Sequence, residues 1–275
     1  MNQEMPHLDR ALGEQPDRQE LFEEFLTNHH ITEGGKEIVG EIEKSSRDQK
    51  IIDLADQVID QYLQEFGRKK QITLSGDHIH IFPEGGVSHL TEGNTEEGAH
   101  STTLGSIMVD RKKSDLDFAL RVFHELTHAK VYNAVQYIEG DETNIQDYRS
   151  GWKIVSRDGK EEYFKDLEEA LISYNTERFY REVLIHDKSF EEEINRLHNS
   201  GQEVDFGRLK ERAEWEKVLD ALWAVNAENF TSKEAIRKLF LQAQATGNIF
   251  PMARLVEKSF GKGSFRFLGE NFGKN

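Results

Sequence analysis

One stretch of the chain decides its fold: residues 114–128, which read SDLDFALRVFHELTH. Ser114 is a side chain suited to an N-cap, and Asp117 three residues later resembles the second half of a capping box. Apolar residues then recur at the spacing of one helix face: Leu116, Ala119, Leu120 and Phe123. No Pro or Gly interrupts residues 114–135. The sequence therefore predicts an α-helix with one face buried in a core.

The same helix carries His124-Glu125-Leu126-Thr127-His128, the pattern H-E-x-x-H. Residues four apart lie one turn apart on one face, so His124 and His128 can share a single metal ion. Glu125 is rotated from His124 by roughly 100° and would flank the metal without binding it. Two neutral imidazoles and a nearby carboxylate are what a zinc hydrolase requires. The alternative is two surface histidines in a charged helix, since the chain has 11 histidines and many glutamates.

Composition limits the other classes of function. The 275 residues carry a net charge of −16, which disfavours binding to a phosphate backbone. No apolar run approaches the roughly 20 residues that span a bilayer, and the first 20 residues are too polar for a secretory signal. We expect a cytoplasmic protein that binds neither nucleic acid nor membrane. Because cysteine is absent, any zinc must be held by nitrogen and oxygen.

The pattern of apolar residues divides the chain into three stretches. Residues 1–70 are predicted to be helical with a flexible tail, and residues 188–275 to be helical. Residues 71–187 are predicted to form an α+β core with a small mixed sheet against the H-E-x-x-H helix. Its strands are expected at Gln71–Leu74, Ile79–Phe82, Ser106–Val109, Trp152–Val155 and Glu162–Phe164, the last two joined by a turn at Asp158-Gly159. A second helix is expected from about Lys165 or Asp166.

A catalytic zinc usually has three protein ligands and a water, so a third ligand is required. Asp141, Glu142 and Asp147 follow the first helix in a polar segment with no expected element to hold them. His186 offers a nitrogen, but at the expected frayed end of the second helix. Glu168 and Glu169 lie near the start of that helix, where the helix dipole alone would also favour a carboxylate.

The two motifs together resemble the gluzincin branch of the zincin metallopeptidases over about residues 106–180. In that branch a helical glutamate is followed by a small residue and, a few positions on, by an aromatic residue. Glu169 fits with Ala170 behind it and Tyr174 five positions on, whereas Glu168 lacks the small residue. The metzincin extension is absent, because Val131 and Ala134 occupy the positions of its Gly and third His.

This resemblance implies a zincin-like core and one Zn²⁺ per chain held by His124, His128 and Glu169. Glu125 would be the general base that activates a zinc-bound water against a peptide or protein substrate. The separation of 41 residues between His128 and Glu169 is long for this branch, and we attribute the excess to the hairpin at 152–164. Two alternatives are an inactive zincin-like binding or regulatory protein and a zinc hydrolase acting on a non-peptide substrate.

Several further assignments stay open at this level. The donor that stabilises the oxyanion is undecided among four residues of or near the second helix: Tyr174, Arg178, Tyr180 and His186. The strand Ser106–Val109 is either an edge for peptide binding or a buried strand. Four further histidines are either a second metal site or scattered solvent-facing residues: His78, His80, His89 and His100. The substrate and the oligomeric state are not specified.

Overall fold

A computed structural model describes residues 8–12, 40–69, 72, 78–90, 98–101, 106–137 and 145–273. The expected strand Gln71–Leu74 lies outside these residues, apart from Ile72. The described part mixes helices with two small sheets, so the predicted α+β class is confirmed. Nothing tests the division into three stretches or the zincin-like character of the core, and both stay predictions.

The smaller sheet lies against the helix that carries the histidines. It contains β2 (Ile79–Pro83), β3 (Gly98–Ser101) and β4 (Ser106–Arg111) in the order β2-β4-β3. β2 runs parallel to β4, and β3 runs antiparallel to it. Because both edges of β4 are occupied, the interpretation of Ser106–Val109 as an edge for peptide binding is wrong. Among the described strands, β2 and β3 lie at the two edges of this sheet.

The larger sheet has five strands in the order β1-β5-β6-β7-β8. Their bounds are Arg10–Leu12, Asn133–Tyr137, Ile145–Ser150, Lys153–Val155 and Glu162–Tyr163. β1 is parallel to β5 and the other pairs are antiparallel. The expected hairpin is present as β7 and β8, but β5 and β6 were not anticipated. These two strands also separate His128 from Glu169, so the hairpin alone does not account for the long spacing.

Nine α-helices are found among the described residues. They are α1 (Ser46–Glu65), α2 (Gly86–Leu90), α3 (Asp115–Lys130), α4 (Lys165–Glu182), α5 (Glu191–Ser200), α6 (Leu209–Asn226), α7 (Lys233–Thr246), α8 (Phe250–Phe260) and α9 (Ser264–Asn271). The predicted start of α4 at Lys165 and the helical character of the last third of the chain are confirmed. α3, which carries the histidines, and α4 therefore both exist as the sequence predicted.

Phe123 shows how α3 and α4 are packed together. Its ring is stacked on that of Phe179 in α4, with centroids 4.4 Å apart and planes 11° apart. The edge of Tyr62 in α1 approaches the same ring at 6.1 Å. Phe123 and Phe179 are 1% and 0% exposed, so this contact lies in the hydrophobic core. One buried aromatic residue, directly before His124, thus joins three helices and fixes the distance between α3 and α4.

Candidate metal centre

Both ends of α3 are anchored, which fixes the direction of its histidines. Ser114 Oγ accepts from the Asp117 backbone N–H at 3.0 Å, so the predicted N-cap is confirmed. At the other end the Asn133 side chain donates to the carbonyls of His128 and Ala129 at 3.1 and 3.0 Å. Carbonyls in the last turn of a helix lack partners within the helix, and Asn133 supplies one.

His124 and His128 meet the carboxylate of Glu169 from α4. The two imidazole rings lie one helix turn apart, with centroids separated by 5.1 Å and planes 69° apart. His124 Nε2 is 3.4 Å from Glu169 Oε2, and His128 Nε2 is 3.4 Å from Glu169 Oε1. One potential ligand atom from each residue lies within 4.8 Å of the other two. The structure therefore brings together two nitrogens and one carboxylate that could hold a metal ion.

The electrostatics of this group reflect its burial and its opposite charges. Burial by itself would lower the pKa of His128, but Glu169, aided by Glu125 and Glu168, outweighs burial and raises it to about 9. Burial would raise the pKa of Glu169, whereas His128 and His124 hold it well below its usual range. The Glu169 carboxylate is thus kept charged and directed at the imidazoles, whereas His128 would have to release its proton to a metal that binds there.

Glu168 points elsewhere, although it is the neighbour of Glu169. Its carboxylate accepts from the Trp152 backbone N–H at 2.7 Å and from Gln244 Nε2 at 2.8 Å. It is 1% exposed, and burial raises its pKa to about 7. Gly151 lies against this carboxylate with φ +54°, and a Cβ there would collide with it. Glu168 ties α4 to the β6–β7 turn and to α7, while Glu169 meets the histidines.

Glu125 is buried beneath the edge strand β3. Its side chain is packed so closely against Gly98 that a Cβ at residue 98 would lie 2.6 Å from Glu125 Oε1. Glu125 is 6% exposed, and its charge contributes to raising the pKa of His128. The carboxylate therefore lies beside the histidines, as the helix geometry predicts, and Gly98 leaves the room it needs.

Other candidate ligands fall in different places. Asp147 is held in β6, contrary to the expectation that no element holds it, while Asp141 and Glu142 lie outside the described residues. His186 is exposed in a short 3-10 helix after α4. Within the described ranges, no other three side chains form such a potential metal-binding group.

The expected oxyanion donors on α4 are engaged by other parts of the molecule. Tyr174 packs edge-on against Trp215 at 5.4 Å, and Tyr180 contacts Phe206 at the same centroid distance. Arg178 forms ion pairs with Glu65 and Glu182, both at 2.8 Å. These contacts attach α4 to its neighbours, so the role of oxyanion donor is not assigned to any of them.

One residue that contacts the candidate metal centre was not predicted from the sequence. Arg208, directly before α6, donates from Nε to Glu169 Oε2 at 3.0 Å. It lies 39 residues from Glu169, in a turn that carries no motif. No local sequence signal could have identified it, since the packing of α6 on α4 brings it to the site.

His80 in β2 and His78 directly before it do not face solvent, contrary to the interpretation of scattered solvent-facing histidines. His78 and His80 are 8% and 5% exposed, and His80 Nδ1 lies 3.0 Å from Glu41 Oε2. They belong to no group of three potential ligands in the part of the chain that the structure describes. The side chains of His89 and His100 lie outside the described residues.

The chain matches no known family model, no curated protein and no solved structure in the comparisons made. None of the helices in the described ranges has the length and apolar character needed to cross a membrane.

Proposed function

We propose that the chain is a zinc-dependent metallopeptidase whose single Zn²⁺ is held by His124, His128 and Glu169. The observation that carries this proposal is the convergence of these three ligand atoms within 4.8 Å. They come from two helices, α3 and α4, that are separated in sequence by the four strands β5 to β8. The donor set fits zinc, because two imidazoles and one carboxylate are an established set for a catalytic site. The H-E-x-x-H motif and the resemblance to the gluzincin branch support the same conclusion.

In the proposed hydrolysis the zinc ion would supply Lewis-acid chemistry and Glu125 would transfer the proton. Zinc, when bound, supplies a Lewis acid and lowers the pKa of its water toward about 7. Glu125 would be the general base that takes a proton from the attacking water and delivers it to the leaving amine. Burial beneath β3 restricts the carboxylate to one position beside the histidines. His124, His128 and Glu169 would hold the ion.

One feature favours a peptide substrate. β3 lies at the edge of its sheet directly over Glu125, and only β4 pairs with it among the described strands. An extended peptide can add to such an edge through backbone hydrogen bonds. An inactive binding or regulatory protein would have no need of Glu125, whose carboxylate is present and placed beside the ligands. A hydrolase for non-peptide substrates is supported by no specific contact.

Metal analysis combined with a hydrolysis assay tests the proposal. We expect about one zinc per chain after purification in zinc-replete buffer, as a three-ligand catalytic site holds one ion. We also expect cleavage of a peptide library that stops with a chelator and returns with added zinc. Less than about half a zinc per chain would overturn the metal site. Stoichiometric zinc without cleavage of any peptide would identify the binding or regulatory alternative.

Gly98→Val should impair turnover without removing the metal. The new side chain would occupy the space of the Glu125 carboxylate, and we expect kcat to fall about 10–100-fold, part of what a general base contributes. Zinc content should stay at that of the wild type. The double variant Gly98→Val/Glu125→Gln provides the control, because it should be no slower than Glu125→Gln alone. Additive losses would show that residue 98 acts by another route.

A further inference from the structure

Arg208 lies against the candidate metal centre and engages one particular oxygen of Glu169. Its Nε is 3.0 Å from Glu169 Oε2, the oxygen that also faces His124. The other oxygen, Oε1, lies on the side of His128. A charge-assisted hydrogen bond from a guanidinium to a carboxylate is directional, so it restricts rotation of the carboxylate.

The backbone of Arg208 adopts a conformation that is unfavourable for a residue with a Cβ. Its φ and ψ are 56° and 35°, in the left-handed region. Among the described non-glycine residues only Phe164, directly before α4, also has a positive φ. Strained residues persist where surrounding contacts determine their conformation, and they cluster at functional sites. Phe164 lies directly before α4, which carries Glu169, and Arg208 lies directly before α6.

The turn that ends at Arg208 is attached to α4 itself. Ser173, fully buried and one helix turn after Glu169, donates from Oγ to the carbonyls of Phe206 and Gly207 at 3.0 and 2.9 Å. Asp205 Oδ1 accepts from the Gly207 N–H at 2.8 Å within the same turn. The guanidinium and the Glu169 carboxylate are therefore both positioned by one helix.

We propose that Arg208 is a positioning residue that holds Glu169 in the orientation in which it binds the metal. This inference rests on the zinc site of the proposed function. Hydrogen bonds from outer groups to metal ligands orient the ligands, and their loss typically weakens metal binding about 10–100-fold. Arg208 has the contact, the rigidity and the charge to act in this way on Glu169.

The zinc affinity of the full chain, measured by competition with a chromogenic chelator, tests this role. We expect Arg208→Gly to bind zinc about 10–100-fold more weakly than wild type. Glycine adopts the left-handed conformation readily, so the melting temperature of the metal-free variant should be kept or raised. Arg208→Lys retains a cation without the planar guanidinium and should give an intermediate affinity.

Arg181→Ala is the matched control. It removes an exposed Arg–Glu ion pair from the same helix, that of Arg181 with Glu177 at 2.6 Å. Its zinc affinity should stay within about twofold of wild type, since its partner Glu177 is not one of the three grouped ligands.

The outcomes separate this inference from the proposed function. If wild type binds zinc and Arg208→Gly binds it equally well, Arg208 does not position Glu169. If the affinity falls together with the melting temperature and Arg208→Lys recovers neither, the role of Arg208 is only structural and the inference is wrong. If wild type itself binds no zinc, the proposed function fails as a whole.

Discussion

Glu125→Gln is expected to reduce peptide hydrolysis by about 10²–10⁴-fold, the usual contribution of a general base. The amide fills the same space beneath Gly98 but cannot take a proton from a zinc-bound water. Glu125 is not among the three grouped ligands, so zinc content should stay at the wild-type value. The measurements are kcat/KM on the best peptide substrate and the zinc content of the same preparation.

The control for this variant is Glu203→Gln, which makes the same chemical change at an exposed position. It should leave hydrolysis and zinc content unchanged. If Glu125→Gln cleaves peptides as fast as wild type, Glu125 is not the base and the mechanism is wrong. If the variant loses zinc along with activity, Glu125 has a part in metal binding that the geometry does not indicate.

Substitutions at the neighbouring residues Glu169 and Glu168 are expected to change different properties, zinc affinity in the first case and folding stability in the second. Glu169→Ala should weaken zinc binding by more than about 100-fold, beyond the effect of losing an outer hydrogen bond, and abolish hydrolysis. Glu168→Ala should lower the free energy of unfolding by about 2–4 kcal/mol, since it leaves two buried donors without an acceptor. The folded fraction of that variant should still bind zinc.

Zinc titration and urea denaturation of the two variants measure these effects separately. Each variant serves as the control for the other, because both remove one carboxylate from the same turn of α4. Zinc retention in both would place the third ligand elsewhere. If Glu168→Ala is fully folded and yet binds no zinc, Glu168 and not Glu169 is the third metal ligand.

The elements that the sequence predicted are those with a local signal. α3 has a capping serine and an apolar stripe, and the β7–β8 hairpin has an Asp158-Gly159 turn. β5 and β6 were missed because they lack an alternating pattern. In β5 the residues Asn133 and Gln136 are buried together with their apolar neighbours, and Asn133 serves to cap α3. Such polar residues become core residues only through partners that are distant in sequence.

By itself the sequence determined the chemistry of the candidate centre. The spacing of His124, Glu125 and His128 on one helix follows from the 3.6-residue repeat, which any α-helix has. The resemblance favoured Glu169 over Glu168 as the third ligand, whereas only the tertiary structure showed that Gly98 lies against Glu125 and that Arg208 contacts Glu169. The physical reason is that these contacts depend on how α4, β3 and α6 are packed against α3. That packing arises from the whole core, and no short stretch of sequence contains it.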